Sequence, residues 1–125
     1  MLIGQTIFGE DSAATDFYTP WFPRGGNRAI MTCNLLNDMN LSTLTIFVQT
    51  KNSEQSDDEA SEPVGWSQAI TAGTSNTSWD AGAALSDTTN AGFKELVRFR
   101  MSIRASSGNI ALAHIRMLQP QWFTN

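Results

Sequence analysis

The sequence predicts an all-β fold: a single-domain antiparallel β-sandwich, jelly-roll-like, with about seven or eight strands. Apolar residues alternate with polar ones over several short segments, and successive side chains of a strand point to opposite faces. Clusters of Gly, Pro, Asn, Asp and Ser separate these segments as turns do. No segment keeps a helical periodicity, so little or no helix is expected. At 125 residues the chain suits one domain, 1–125, with one core.

The N-terminal part is predicted to form a strand followed by an aromatic cover. Residues 2–8 alternate, with Ile3 and Ile7 on one face. Segment 17–24 is aromatic and is interrupted by two prolines, which cannot donate to a central ladder. This segment is therefore expected at a sheet edge or as an extended cover, and the glycine pair that follows it as a turn.

Two alternating segments, 28–36 and 42–50, are predicted to pair as a hairpin across the turn-like residues 37–40. The first places Cys33 on its apolar face, where a lone cysteine usually behaves as a small buried hydrophobe. Phe47 falls on the polar parity of the second segment. It is expected to pack under a loop or to meet a partner.

Segment 51–63 is almost free of apolar side chains and is predicted to be a solvated acidic loop. Three adjacent acids, Asp57, Asp58 and Glu59, form a weak candidate calcium site, because Ca²⁺ prefers clustered oxygen ligands. They lack the spacing of an EF-hand loop, so a purely solubilising role is the alternative. Short strands are expected at 64–71 and 79–85, with 80–84 as a possible single helical turn, and a loop at 86–92.

The strongest alternation runs through 93–119, which is predicted to form a long hairpin closed by the turn residues 106–109. Arg98, Arg100 and Arg104 share the polar parity of its first strand. In a regular register His114 and Arg116 lie on the same face of the second strand. Crowded like charges repel, so an acidic cover is expected, either the chain's own loop acids or another subunit.

A second segment of proline and aromatic residues closes the sequence at 119–125. Large aromatic side chains are costly to leave exposed. The two segments must therefore cap the sandwich, cover a sheet edge or dock onto a neighbour. The predicted interaction residues are Arg98, Arg100, Arg104, His114, Arg116, Trp21, Phe22, Trp122 and Phe123.

The sequence carries no pattern of a catalytic or cofactor site. His114 and Cys33 are the only histidine and cysteine, and the nucleophile-elbow, phosphate-loop, dinucleotide and zinc-protease motifs are missing. We therefore expect no enzyme activity and no cofactor. Four tryptophans and one tyrosine leave carbohydrate binding open, since aromatic planes stack on sugars, although small sandwiches more often bury such residues.

Composition and charge narrow the class of partner. The net charge of −4 argues against nucleic acid as the main partner, and no apolar run is long enough to span a membrane. The chain is rich in Ser, Thr and Asn, as extracellular proteins are, yet begins with no secretory signal. A virion or extracellular assembly, synthesised in the cytoplasm, would explain both features.

The sequence therefore predicts a non-enzymatic structural protein that self-associates as a homo-oligomer or decorates a larger lattice. A phage or viral capsid decoration or accessory protein is its most specific form. The alternatives are a carbohydrate-binding module or adhesin-like domain and, third, a cytosolic β-sandwich regulator.

Overall fold

A computed structural model describes residues 3–73, 76–82 and 92–124 of the chain. It confirms the all-β prediction, because antiparallel strands form two sheets that pack face to face. The strands are β1 (Ile3–Gly9), β2 (Thr15–Tyr18), β3 (Phe22–Pro23), β4 (Arg28–Met39), β5 (Leu41–Lys51), β6 (Gln68–Ala69), β7 (Thr77–Gly82), β8 (Leu96–Ala105), β9 (Ala111–Met117) and β10 (Gln121–Phe123). The described residues thus hold 10 strands rather than seven or eight. Several of the extra strands are short fragments beside a longer one.

The first sheet has the order β1–β9–β4–β7. Cys33 of β4 pairs with Met117 of β9 and with Thr77 of β7, so β9 and β7 flank β4 on opposite edges. Ala29 of β4 pairs with both β7 and β10, which places β10 on the edge that β9 occupies. β10 is therefore a continuation of β9 along β4.

The second sheet has the order β2–β8–β5–β6, with β3 extending β2 along β8. When β2 with β3 and β9 with β10 are each counted as one strand, two sheets of four strands remain. Numbered 1 to 8 along the chain after this merging, the strands follow the order 1–8–3–6 in the first sheet and 2–7–4–5 in the second. This is the connectivity of an eight-stranded jelly roll.

Both predicted hairpins are wrong. β8 pairs with β5, β2 and β3, whereas β9 pairs with β1 and β4, and the strands β4 and β5 also lie in different sheets. Asn40 and Gly108 turn the chain with positive φ angles of 55° and 78°, and both connections pass from one sheet to the other. The Ser106 amide donates to the Asn40 carbonyl at 2.9 Å and holds the two crossings together. Turn residues reverse the chain but do not decide which sheet it returns to.

The predicted apolar parities are confirmed by burial. In β8 the inward side chains Val97, Phe99, Met101, Ile103 and Ala105 are buried between the sheets. Cys33 is fully buried in the same core, and burial raises the pKa of its thiol to about 11. The thiol therefore stays protonated at neutral pH, as the prediction of a small buried hydrophobe requires.

The middle of the chain differs more from expectation. The strand expected at 64–71 is reduced to β6, two residues long. Residues 80–82 belong to β7, so the alternative of a helical turn fails for them. Residues 83–85 of the expected strand, and 86–91 of the expected loop, lie outside the described residues. In the acidic loop, Asp57–Glu59 form a short 3-10 helix and Ser61 bridges back to Thr50 of β5.

Candidate interaction surfaces

The arginines of β8 lie on the outer face of the second sheet, where the acidic loop folds over two of them. Arg100 makes a two-pronged contact with Glu62: Nη2 donates to Oε1 at 2.7 Å and Nε to Oε2 at 2.8 Å. Its Nη1 lies 3.2 Å from a carboxylate oxygen of Asp16 on β2. The guanidinium also covers the ring of Phe47 at 3.9 Å, so Phe47 packs beneath this contact.

Arg98 is held by a different part of the loop. Its Nη1 lies 3.4 Å from Asp57 Oδ2, and its Nε donates to Gln49 at 2.7 Å. Asp57 Oδ1 accepts from Lys51 Nζ at 2.8 Å and from Trp21 Nε1 at 3.0 Å. The centroid of the Trp21 ring lies close to both cations, at 4.5 Å from Arg98 Cζ and 4.8 Å from Lys51 Nζ. Asp57 thus ties the loop to both β8 and the aromatic segment.

These contacts shift the acid–base equilibria of the loop. The hydrogen bond from Lys51 is the main cause that lowers the pKa of Asp57, and the hydrogen bond from Arg100 is the main cause that lowers the pKa of Glu62. The same contact with Glu62 raises the pKa of Arg100. The structure therefore decides between the two expected covers: Arg98 and Arg100 are neutralised within the chain.

The calcium candidate gains no support from this arrangement. Asp57 is committed to Lys51, Arg98 and Trp21. Glu59 accepts hydrogen bonds from the backbone and hydroxyl of Ser56 and thereby caps the 3-10 helix, which lowers its pKa. Within the described ranges, no group of three or more His, Cys, Asp and Glu side chains is placed to hold a metal ion.

The other charged residues of the predicted row are scattered. Arg104 is exposed at the end of β8 and donates to the Asp11 carbonyl at 2.9 Å. His114 and Arg116 lie on β9, on the outer face of the first sheet, so the prediction that they share a face with Arg98 and Arg100 is wrong. The prediction assumed that β8 and β9 pair as a hairpin, whereas they belong to opposite sheets.

The aromatic segments pack against their own chain rather than extending as arms. Phe22 is buried, with its ring 5.7 Å from that of Phe99. Trp122 is half-buried and meets Phe93 edge-on at 4.9 Å. Phe123 remains exposed beneath the guanidinium of Arg28. Both segments therefore cover sheet edges, one of the three expected roles.

The tryptophans are used in the same way. Trp66 and Trp79 are buried, and Trp79 Nε1 donates to the Trp66 carbonyl at 2.8 Å. Trp21 and Trp122 are half-buried and contact the side chains described above. Two of the four tryptophans therefore belong to the core, and the other two contact charged or aromatic side chains of the same chain.

Sequence reasoning missed an apolar row on the outer face of the first sheet. The row consists of Phe8, Leu112 and Met39, which are cross-strand neighbours on β1, β9 and β4. Phe8 and Met39 are 53% and 54% exposed, and Ile110, which shares a shallow cleft with Phe8, is 66% exposed. The signal was present in the sequence, because Phe8 and Leu112 stand on the polar parity of their strands.

Comparisons of the chain with protein-family models, with curated proteins and with solved structures found no match. In the described part of the chain, no helix is long and apolar enough to cross a membrane. Function must therefore be argued from the surfaces themselves.

Proposed function

We propose that this chain is a non-enzymatic assembly subunit that self-associates or decorates a larger lattice, such as a phage or viral capsid. The observation that carries the proposal is the apolar row. Single exposed apolar side chains are normal on a soluble protein, whereas a contiguous group of large ones marks a contact surface. Phe8, Leu112 and Met39 form such a group across three neighbouring strands.

The contact surface proposed here differs from the one that the sequence suggested. Arg98 and Arg100 are already paired with acids of the same chain, so a partner would have to displace the loop to reach them. The apolar row faces outward from the opposite sheet. A partner that covers it removes apolar area from water at no cost in broken ion pairs.

The fold is compatible with this class without assigning it. Jelly rolls occur in viral capsid and lectin domains alike, and a fold by itself does not fix a function. The side chains favour an assembly role over sugar binding: Trp66 and Trp79 are buried and Trp21 and Trp122 contact side chains of the same chain, whereas Phe8 and Met39 are more than half exposed.

Sedimentation of Met39→Glu and Val64→Glu tests the proposal. Both substitutions add one negative charge at an exposed apolar residue, but Val64, 98% exposed, lies in the loop before β6, outside the apolar row. We expect the wild-type chain and Val64→Glu to associate with rising concentration, and Met39→Glu to associate less. Equal association of the two variants would contradict the apolar row as the contact surface, and a wild-type chain that does not associate would contradict self-association.

The capsid form of the proposal has its own test. Capsid, portal or tail genes beside the gene for this chain are expected. A neighbourhood without any virion genes would count against lattice decoration while leaving self-association open.

A further inference from the structure

β1 forms an edge of the first sheet, and in the described part of the chain it carries neither a charge, a proline nor a pairing strand on its outer side. It pairs with β9 along one side, and no described strand pairs with its other side. Its seven residues, Ile3–Gly9, include no charged residue and no proline. Such an edge presents unpaired backbone groups that can bind another strand.

The other sheet edges differ from β1 in ways that discourage strand addition. The edge made by β2 and β3 is interrupted at Pro20, and β3 itself contains Pro23. β6 is only two residues long. β7 carries Asp80, which pairs with Arg28. Short strands, prolines and charges are the devices that block edge pairing, and β1 alone among these four edges lacks them.

We propose that β1 pairs with β1 of a second copy, antiparallel, about a two-fold axis at Thr6. The inference rests on the proposed function and names its partner as this same chain. An isologous contact uses one patch on both copies, and a strand that meets itself across a two-fold axis is antiparallel by symmetry. Thr6 is the midpoint of β1, so this register overlaps all seven residues and keeps outward side chains on one face.

The register also makes the outward side chains of β1 complementary. With Thr6 on the axis, Phe8 of each copy lies opposite Gly4 of the other. Gly4 is exposed, and a Cβ built on it meets no atom within 4 Å, so there is room for a ring above it. An aromatic side chain packed across a strand pair onto glycine compensates for the missing side chain. Two copies thereby cover both exposed Phe8 rings at once.

The acidic loop lies away from this edge. Two copies of net charge −4 repel each other in general, but the acids of segment 54–62 lie with the loop that covers the second sheet. Around β1 the outward side chains of the neighbouring strand include His114 and Arg116. Glu10 follows β1 directly and lies outside the seven paired residues. The paired strand itself carries no charge, and the contact lies away from the acidic loop of each copy.

Cross-linking through Thr6→Cys tests the register. Opposed residues of an antiparallel pair have Cα atoms about 4.5–5.5 Å apart, within the range that a disulfide spans. The native Cys33 is 0% exposed and does not compete. We expect Thr6→Cys to form a disulfide-linked dimer under mild oxidation at a rate well above that of Val64→Cys, an exposed control. Equal rates would overturn the proposal.

Gly4→Glu tests the same contact without a new covalent bond. The space beside Gly4 lets the monomer accept the side chain, while the charge lies where the second copy's Phe8 would pack. We expect the dimer association constant to fall at least about tenfold, against no more than a twofold change for Val64→Glu. Urea unfolding of both variants checks that the monomers are folded. An unchanged constant in Gly4→Glu contradicts the pairing.

The outcomes separate this inference from the function on which it rests. Association that is lost in Met39→Glu but unaffected by Gly4→Glu, with no Thr6→Cys cross-link, leaves the assembly role standing and rejects the β1 pairing. Association lost in Gly4→Glu alone supports the pairing and rejects the apolar row as the carrier of assembly. A wild-type chain that stays monomeric at all concentrations rejects the pairing and self-association together.

Discussion

Both outer faces of the sandwich carry arginines on the polar parity of a strand, but in the part of the chain that the structure describes only the face of the second sheet is covered by a loop. The face of the second sheet carries Arg98 and Arg100, and the chain's own loop covers both with carboxylates. The face of the first sheet carries Arg116 and the apolar row, and among the described residues no carboxylate forms an ion pair with Arg116. A charged residue on the polar parity of a strand therefore says little about whether its face is free.

The two faces also differ in how their arginines are bound. Arg100 meets the carboxylates of Glu62 and Asp16, whereas Arg116 donates through Nε and Nη2 to the neutral Asn34 amide oxygen at 3.2 and 3.0 Å. The guanidinium makes both contacts charge-assisted, but only Arg100 meets opposite charges, which add Coulomb attraction to its hydrogen bonds. The contacts of Arg100 should accordingly stabilise the folded chain more than those of Arg116.

Arg100→Ala and Arg116→Ala test that difference most strongly. We expect Arg100→Ala to lower the free energy of unfolding by about 2 kcal/mol, because it leaves Glu62 and Asp16 without their cation and uncovers Phe47. Arg116→Ala should cost about 1 kcal/mol or less, since its partner is an amide. Urea titration measures both. Equal losses would mean that the loop cover is not a stabilising contact.

Lowering the pH should reduce the free energy of unfolding, because protonation of Glu62 weakens its contact with Arg100. Its pKa is lowered in the folded protein, so its contribution to stability is present above the pKa of the unfolded chain and is lost as pH falls through the folded value. Wild type should exceed Glu62→Gln in free energy of unfolding at about pH 7, and the gap should close towards about pH 3. Urea unfolding of both chains across this range measures the gap.

Glu54→Gln, at an exposed position of the same loop, is the matched control for the pH experiment. The free energy of unfolding of Glu54→Gln should equal that of the wild type over the whole pH range. A gap between wild type and Glu62→Gln that is independent of pH would show that Glu62 acts through shape rather than charge.

The smallest change in the free energy of unfolding is expected for a substitution beside the apolar row of the first sheet. Ile110→Ser removes a side chain that is 66% exposed beside Phe8, so the free energy of unfolding should change by no more than about 0.5 kcal/mol. Thermal or urea unfolding of the monomer measures it. A loss of several times that size would mean that Ile110 is kept for folding rather than for contact.

The sequence predicted which side of each long strand faces the core. The buried positions in β4, β5 and β8 follow the parity read from the residues, and Cys33 was correctly placed among them. Side-chain alternation is a local property of extended backbone, so it survives whatever the strand pairs with. The same locality explains why the aromatic segments were expected at edges, where their prolines permit them.

The tertiary structure alone decided strand partners and therefore surfaces. A turn at Asn40 or Ser106 reads the same whether the chain returns in its own sheet or crosses to the other one, because the choice depends on contacts far apart in sequence. That choice separated His114 and Arg116 from the arginines of β8. It also brought Glu62 to Arg100 across 38 residues and left the apolar row uncovered. Side-chain alternation is a local property and strand pairing is not. The core was therefore predictable from the sequence, and the arrangement of the outer faces was not.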